Sequence, residues 1–178
     1  MIILIGPSAS GKTSIAKELI EKYNFKKFVT NTTRKMRVGE INDIDYHFIT
    51  KEQFLDKLKN NMLIEYVEYN DNYYGTSMED VTDDKVLIVD IKGANKFFEK
   101  IGSSAVFFYI TCSDETLKKR MISRGDDEES IKERLKGDKE YFKLSNLKHY
   151  DYIINTDDKD NASVTEDVYN KYIQTIKG

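Results

Sequence analysis

Residues 6–13 read Gly-Pro-Ser-Ala-Ser-Gly-Lys-Thr and fit the pattern G-x-x-x-x-G-K-[ST]. Phosphate binding asks for these residue types in this order. Gly6 and Gly11 let the backbone curl so that consecutive N–H groups point inward at an anion, with Pro7, Ser8, Ala9 and Ser10 as the arc between them. The positive end of the helix that follows is directed at the same place. Lys12 can then reach the β- and γ-phosphates of a nucleotide, and the Thr13 hydroxyl can hold Mg²⁺.

Other residues could share in phosphate chemistry. Asp90 ends an apolar run, where a carboxylate either orders water around a metal or caps the next helix. Asp90-Ile91-Lys92-Gly93 also fits the D-x-x-G of a GTPase switch, but the base-reading N-K-x-D that a GTPase needs fails at Asn95-Lys96-Phe97-Phe98. Arg34 and Arg37 lie three apart in a polar loop, and guanidinium groups clamp phosphate in a bidentate way. Tyr46, Tyr74 and Thr76 could complete an anion site with their hydroxyls. Glu65 offers a carboxylate able to accept from the adjacent N1–H and N2–H₂ of a guanine edge. Arg120, Arg124 and Arg134 straddle Gly125; they read equally as arginine fingers over a nucleotide and as exposed charges balancing the acidic run 126–129.

The elements that must position these residues follow from periodicity. Residues 1–5 form an apolar run ahead of the glycine loop, and Ile15, Ala16, Leu19, Ile20 and Tyr23 mark one helix face behind it. Residues 28–30 are a short strand candidate, 31–44 a polar loop, 45–49 an aromatic strand, 51–60 a helix with Phe54, Leu55 and Leu58 inward, and 63–69 a strand ending at an Asn-Asp-Asn turn. This middle third suits a small insert with antiparallel pairing. Buried strands are expected at 86–89, 105–110 and 152–154. Between them lie a helix carrying Ala94, Phe97, Phe98 and Ile101, and one capped by Ser113-Asp114 that carries Leu117, Met121 and Ile122. A long polar helix is expected over 130–147, and a closing helix with Val164, Val168, Tyr172 and Ile176 inward. Alternating strands and helices imply an α/β fold: three layers, a parallel sheet with helices on both faces, right-handed crossovers.

Composition narrows the function classes. At 178 residues, one main domain with a full core is expected. A formal net charge of −3 gives no sign of nucleic acid or an acidic membrane surface as partner. One cysteine, Cys112, rules out an internal disulfide and suits a reducing cytoplasm. Five apolar residues before the loop, with no basic stretch, predict no secretory leader, and no apolar run reaches membrane-spanning length. His47 and His149 lie far apart without cysteine partners, so no metal site is expected on them.

Taken together, the glycine loop, Thr32-Thr33-Arg34, Arg37-Val38-Gly39-Glu40, Asp45-Tyr46-His47-Phe48, Ile64-Glu65-Tyr66, Asn72-Tyr73-Tyr74-Gly75-Thr76, Val89-Asp90-Ile91-Lys92-Gly93-Ala94, Ser123-Arg124-Gly125 and Asp151-Tyr152-Ile153-Ile154-Asn155 resemble the guanylate kinase family. The resemblance implies a P-loop NTPase core (residues 1–30 and 81–178), a GMP-binding insert (31–80) and a helical lid (about 124–135). It implies phosphoryl transfer from ATP to GMP with Mg²⁺, in the cytoplasm, on small-molecule substrates. It puts the loop through Ser14, with Arg120 and Asn155, on ATP. Thr30 and Glu65 then fall on guanine, and Arg34, Arg37, Tyr46 and Tyr74 on the GMP phosphate. Thr76 joins the same pocket, Asp90 stands near base and metal, and Arg124 and Arg134 are lid arginines. The sequence departs from the family at Ala9, where a glycine is usual, at Ile88 and Lys92 around Asp90, in a short 76–86 connection, and in a lid one residue short. Two rival readings remain: a related kinase with another phosphorylated acceptor, and an inactive guanylate-kinase-like binding module, against which Lys12 speaks.

Overall fold

A computed structural model describes residues 1–177. The chain runs β1 (Ile2–Ile5), α1 (Lys12–Tyr23), β2 (Lys26–Lys27), β3 (Asn31–Thr32), β4 (His47–Phe48), α2 (Lys51–Lys59), β5 (Leu63–Tyr69), β6 (Asn72–Ser77), β7 (Lys85–Val89), α3 (Ile91–Ile101), β8 (Val106–Thr111), α4 (Asp114–Ser123), α5 (Glu128–Tyr141), β9 (Tyr152–Asn155) and α6 (Asn161–Lys177).

Five strands form a parallel sheet in the order β2-β7-β1-β8-β9. β1 lies at its centre, and its uninterrupted apolar sequence matches burial on both faces. Ile2 and Leu4 pack under α1 and α6 with Ile15, Leu19, Val168 and Tyr172. Ile3 and Ile5 pack on the opposite side with Ile91, Ala94 and Phe97 of α3. Alternation along one strand therefore serves two helix layers, giving the expected α/β architecture. All core strands point their carboxyl ends one way, and ligands of such sheets bind there. The glycine loop follows β1, Asp90 follows β7, Cys112 follows β8 and Thr156 follows β9.

A second sheet, in the order β4-β3-β6-β5, is built within residues 31–77. Antiparallel pairing holds for β3·β6 and β5·β6, whereas β3·β4 is parallel, because a long loop rather than a hairpin joins those two strands. Asn70 and Asp71 turn the β5–β6 hairpin with φ of 48° and 59°, the left-handed pair that a two-residue turn needs. Thr50 and Gln53 form a reciprocal capping box that starts α2. Phe54 of α2 is fully buried against Gly75, where any Cβ would meet its ring at 2.8 Å.

Some sequence expectations are corrected. Residues 28–30 form no strand: they carry the chain from one sheet to the other, and the Phe28 N–H bonds only to the Val86 carbonyl at 3.0 Å. Ile20, Leu55, Ile122 and Ile176 stand 39%, 42%, 57% and 43% exposed rather than inward, because each helix buries a narrower stripe than its apolar residues span. The long polar helix starts earlier, at an Asp127 cap, and stops at Tyr141. Beyond it Asn146 turns back to donate to the Glu140 and Tyr141 carbonyls at 2.9 and 3.0 Å. Among the described residues, no helix is long and apolar enough to cross a membrane.

Candidate active site

The glycine loop has the conformation its sequence requires. Gly6 has φ of 148°, and a Cβ there would sit 2.1 Å from the Ile110 carbonyl oxygen. Gly11 has φ of 106° and starts α1 without any side-chain cap, so the first N–H groups of the helix are left for a ligand. Ala9 also takes a left-handed φ of 61°, a conformation that favours glycine.

Lys12 folds back over the loop. Its Nζ donates to the Gly6 and Pro7 carbonyls at 2.7 and 2.6 Å and to Ser10 Oγ at 3.3 Å. Burial lowers its pKa to about 8, opposed by the nearby Asp138 carboxylate. Ala9, Gly11, Lys12, Thr13 and Ser14 line a cleft of about 430 Å³ together with Arg120 and Arg124. Gly6, Pro7, Ser8 and Ser10 do not line it. The Ser8 N–H donates to Asp138 Oδ2 of α5 at 2.7 Å.

Arg120 does not swing free. It donates to the Ala9 carbonyl at 3.3 Å and to Thr156 Oγ1 and the Thr156 carbonyl at 3.0 and 2.9 Å, while Thr156 Oγ1 donates to the Ser10 carbonyl at 3.0 Å. It is thus a brace for the loop that also presents charge to the cleft. On the side expected for adenine, the cleft is lined by Thr156, Lys159 and Asn161. Asn155, expected there, lies outside the lining and accepts from the Asp157 N–H at 2.7 Å.

Arg124 and Arg134 come together on a shared partner, Asp126, which the sequence showed only as part of an acidic run. Asp126 Oδ2 accepts from Arg124 Nε and Nη2 at 2.8 and 2.5 Å and from Arg134 Nη1 at 3.1 Å. This cluster holds the Asp126 carboxyl below its ordinary range, Arg124 being the largest influence.

A second pocket, of about 150 Å³, gathers Thr30, just ahead of β3, Glu65 of β5, and Tyr74 and Thr76 of β6, segments brought together by the β3·β6 and β5·β6 pairings. Lys96 of α3 also lines it and pairs with Glu65 at 3.3 Å. Beside Tyr74 stands Tyr46, the ring centroids 6.1 Å apart, and the Arg34 guanidinium lies over Tyr46 and Phe48 at 5.5 and 5.6 Å. The Arg37 guanidinium makes no hydrogen bond or ion pair among the described residues, although its backbone N–H donates to Glu40 Oε2 at 2.7 Å.

Asp90 caps the helix that follows it. Oδ1 accepts from the Gly93 N–H at 2.7 Å, capping α3, and Oδ2 accepts from the Tyr141 hydroxyl at 2.9 Å. It lines neither the cleft around Thr13 nor the pocket around Glu65. Sequence reasoning missed Glu40 as a partner for Arg34, Lys96, Asp138 and the group Thr156, Lys159 and Asn161. Only Glu40 carried a local signal, an acidic residue in the same short turn as Arg34 and Arg37; the rest meet the site through the fold.

The guanylate kinase family profile matches residues 1–170. A guanylate kinase of Clostridium tetani is 38% identical over 164 residues, covering 88% of this chain and 78% of the relative. One of Helicobacter hepaticus is 36% identical over 167 residues, covering 89% and 82%. The crystal structure of guanylate kinase from Anaplasma phagocytophilum aligns with a TM-score of 0.60 at 29% identity, covering 98% of this chain and 84% of that one. A phosphate loop on one sheet and a pocket around Glu65 on the other are thus set in a sequence and fold shared with these proteins, and the chain belongs to the guanylate kinase family.

Proposed function

We propose that this protein transfers the γ-phosphoryl group of ATP to GMP, giving ADP and GDP. The observation that carries the reading is the pocket at Thr30, Glu65, Tyr74 and Thr76, separate from the phosphate-loop cleft and flanked by Arg34. A P-loop alone serves many reactions; a second pocket lined by a carboxylate, with an arginine next to it beyond Tyr74 and Tyr46, suits a nucleotide with a guanine edge and a phosphate.

In this reading residues 1–30 and 81–178 form the core, 31–80 the acceptor insert and about 124–135 the lid. Thr30 and Glu65 read the base. Arg34, Arg37, Tyr46 and Tyr74 hold the acceptor phosphate. Lys12 and the loop N–H groups hold the ATP phosphates, with Arg120 bracing them. The acceptor is already an anion, so no strong general base is needed; positioning and charge neutralisation carry the rate. Arg124 and Arg134 exchange Asp126 for the transferring phosphoryl group when the lid closes, which also excludes water.

Mg²⁺ accompanies ATP in such reactions and neutralises phosphate charge. The chain fits it in a limited way. Among the described residues, no cluster of three or more acidic, histidine or cysteine side chains could cage a metal. Magnesium commonly keeps several waters and binds through substrate phosphates with few protein ligands. Thr13 at the cleft is the residue that would hold it, and Asp90 is assigned the N-terminus of α3 instead. The reaction is assigned to the cytoplasm on the chain's single cysteine.

Coupled ADP-release assays with GMP, dGMP, AMP, CMP and UMP, on the wild type and Glu65→Ala, test the reading. GMP should exceed AMP by about 10⁴-fold in kcat/KM, because AMP would leave the carboxylate unpaired. Glu65→Ala should narrow that ratio. Comparable rates with all five acceptors, or an unchanged ratio in the variant, would sink it.

A further inference from the structure

Arg34 carries five N–H donors arranged as two forks, one end-on through Nη1 and Nη2 and one along the Nε and Nη2 edge. Glu40 occupies the end-on fork. Its Oε2 accepts from Nη1 at 3.0 Å and its Oε1 from Nη2 at 2.6 Å. The other Nη1 hydrogen goes to the Lys35 carbonyl at 2.8 Å. The Tyr74 hydroxyl also stands beside the guanidinium, and no carboxylate or carbonyl takes the Nε edge among the described residues. Both partners are largely buried, with side chains 14% and 20% exposed. The rings of Tyr46 and Phe48 fix the guanidinium plane.

Glu40 is itself anchored. Besides the fork, Oε2 accepts from the Arg37 N–H at 2.7 Å, and the Glu40 N–H donates back to the Arg37 carbonyl at 3.1 Å. Gly39 makes this tight turn with φ of 90°. A phosphate arriving from solvent could not displace Glu40 without dismantling the turn that carries Arg37. One carboxylate therefore sets both arginines.

We propose that Glu40 is a positioning residue for the acceptor phosphate: it holds Arg34 end-on so that the Nε and Nη2 edge faces the phosphate, and it fixes the turn that presents Arg37. This rests on the assignment of Arg34 to the GMP phosphate made above. The alternative is that Glu40 stands in for the phosphate and is expelled on binding. The two differ in sign: a positioning carboxylate strengthens acceptor binding, and a competitor weakens it.

The test is steady-state kinetics of Arg34→Ala, Glu40→Ala, Glu40→Gln and the Arg34→Ala/Glu40→Ala double variant, with thermal melts. Glu40→Ala should raise KM for GMP by about 10- to 100-fold, the range in which partners behind contacting residues act. KM for ATP should stay near wild type. In the Arg34→Ala background the same change should cost clearly less than in the wild type, the part that remains acting through the turn that carries Arg37. Glu40→Gln keeps the shape but loses the charge-assisted fork, so its KM for GMP should rise as well, and it serves if the alanine variant fails to fold. A lower KM for GMP in both Glu40 variants would establish the competitor instead. An equal cost of Glu40→Ala with and without Arg34 would show a structural role and overturn the proposal. An Arg34→Ala variant with normal KM for GMP would overturn the phosphate-site reading and this inference with it; Arg34→Ala impaired with Glu40→Ala and Glu40→Gln normal would overturn the inference alone.

Discussion

Lys12 is held in a low-dielectric nest of carbonyl oxygens, where burial brings its pKa to about 8. A cation with a lowered pKa loses its proton earlier than usual as pH rises, so in the nucleotide-free protein it is mostly neutral above about pH 8. Bound triphosphate favours the charged form and raises the pKa again. ATP binding at about pH 8.5 should therefore take up a substantial fraction of a proton by linkage, and little near pH 6.5, where Lys12 is already charged. Calorimetry of ATP binding in two buffers of different ionisation enthalpy measures this uptake. It should vanish in Lys12→Met; uptake that persists there belongs to another group. The residues of the loop were legible in the sequence because each answers a local demand. Gly6 has no room for a Cβ, and Gly11 opens the helix. Asp138 was not legible, because its bond to the Ser8 N–H spans 130 residues of sequence and nothing local marks it.

At the scale of elements, α4 and α5 decide whether Arg124 and Arg134 do chemistry. Leu117 and Met121 of α4 pack on Ile131 of α5, and this small separate core sets Arg124 and Arg134 side by side over Asp126. An exposed ion pair of this kind contributes little to folding, so removing one arginine should leave stability nearly unchanged. If Arg124 meets the phosphoryl group only after closure, its loss lowers kcat and kcat/KM together. Arg124→Ala should lose about 10³-fold in kcat, while GMP affinity measured without ATP stays within a few-fold and the melting temperature holds. A near-normal kcat would leave the arginines as partners of the acidic run alone. Periodicity located most of these elements. It erred at Ile122 and Ile20, because apolar residues at a helix flank obey the same spacing as those beneath it, and only the neighbouring layer decides which are covered. It also carried α5 past Tyr141, since a polar helix and the polar turn after it look alike in composition.

At the scale of the whole molecule, the chain builds two sheets, and the split was visible in the sequence as a change from continuous apolar runs to short alternating strands. What the sequence could not supply is how the halves are joined. The C-terminal end of α5 is moored at three places: Asp138 to the Ser8 N–H, the Tyr141 hydroxyl to Asp90, and the Phe142 carbonyl just beyond the helix to the Tyr109 hydroxyl at 2.5 Å. The first mooring touches the phosphate loop and the second the start of α3, whose Lys96 reaches Glu65 in the second pocket. One helix thus touches the phosphate loop directly and reaches the Glu65 pocket through α3. In the language of initial-rate kinetics this is a recipe for synergy: each substrate should lower the apparent dissociation constant of the other, by the same factor in both directions, as any thermodynamic coupling must. Double-reciprocal plots against one substrate at several fixed levels of the other should intersect above the horizontal axis, and Tyr141→Phe, which frees Asp90, should bring the intersection down towards that axis.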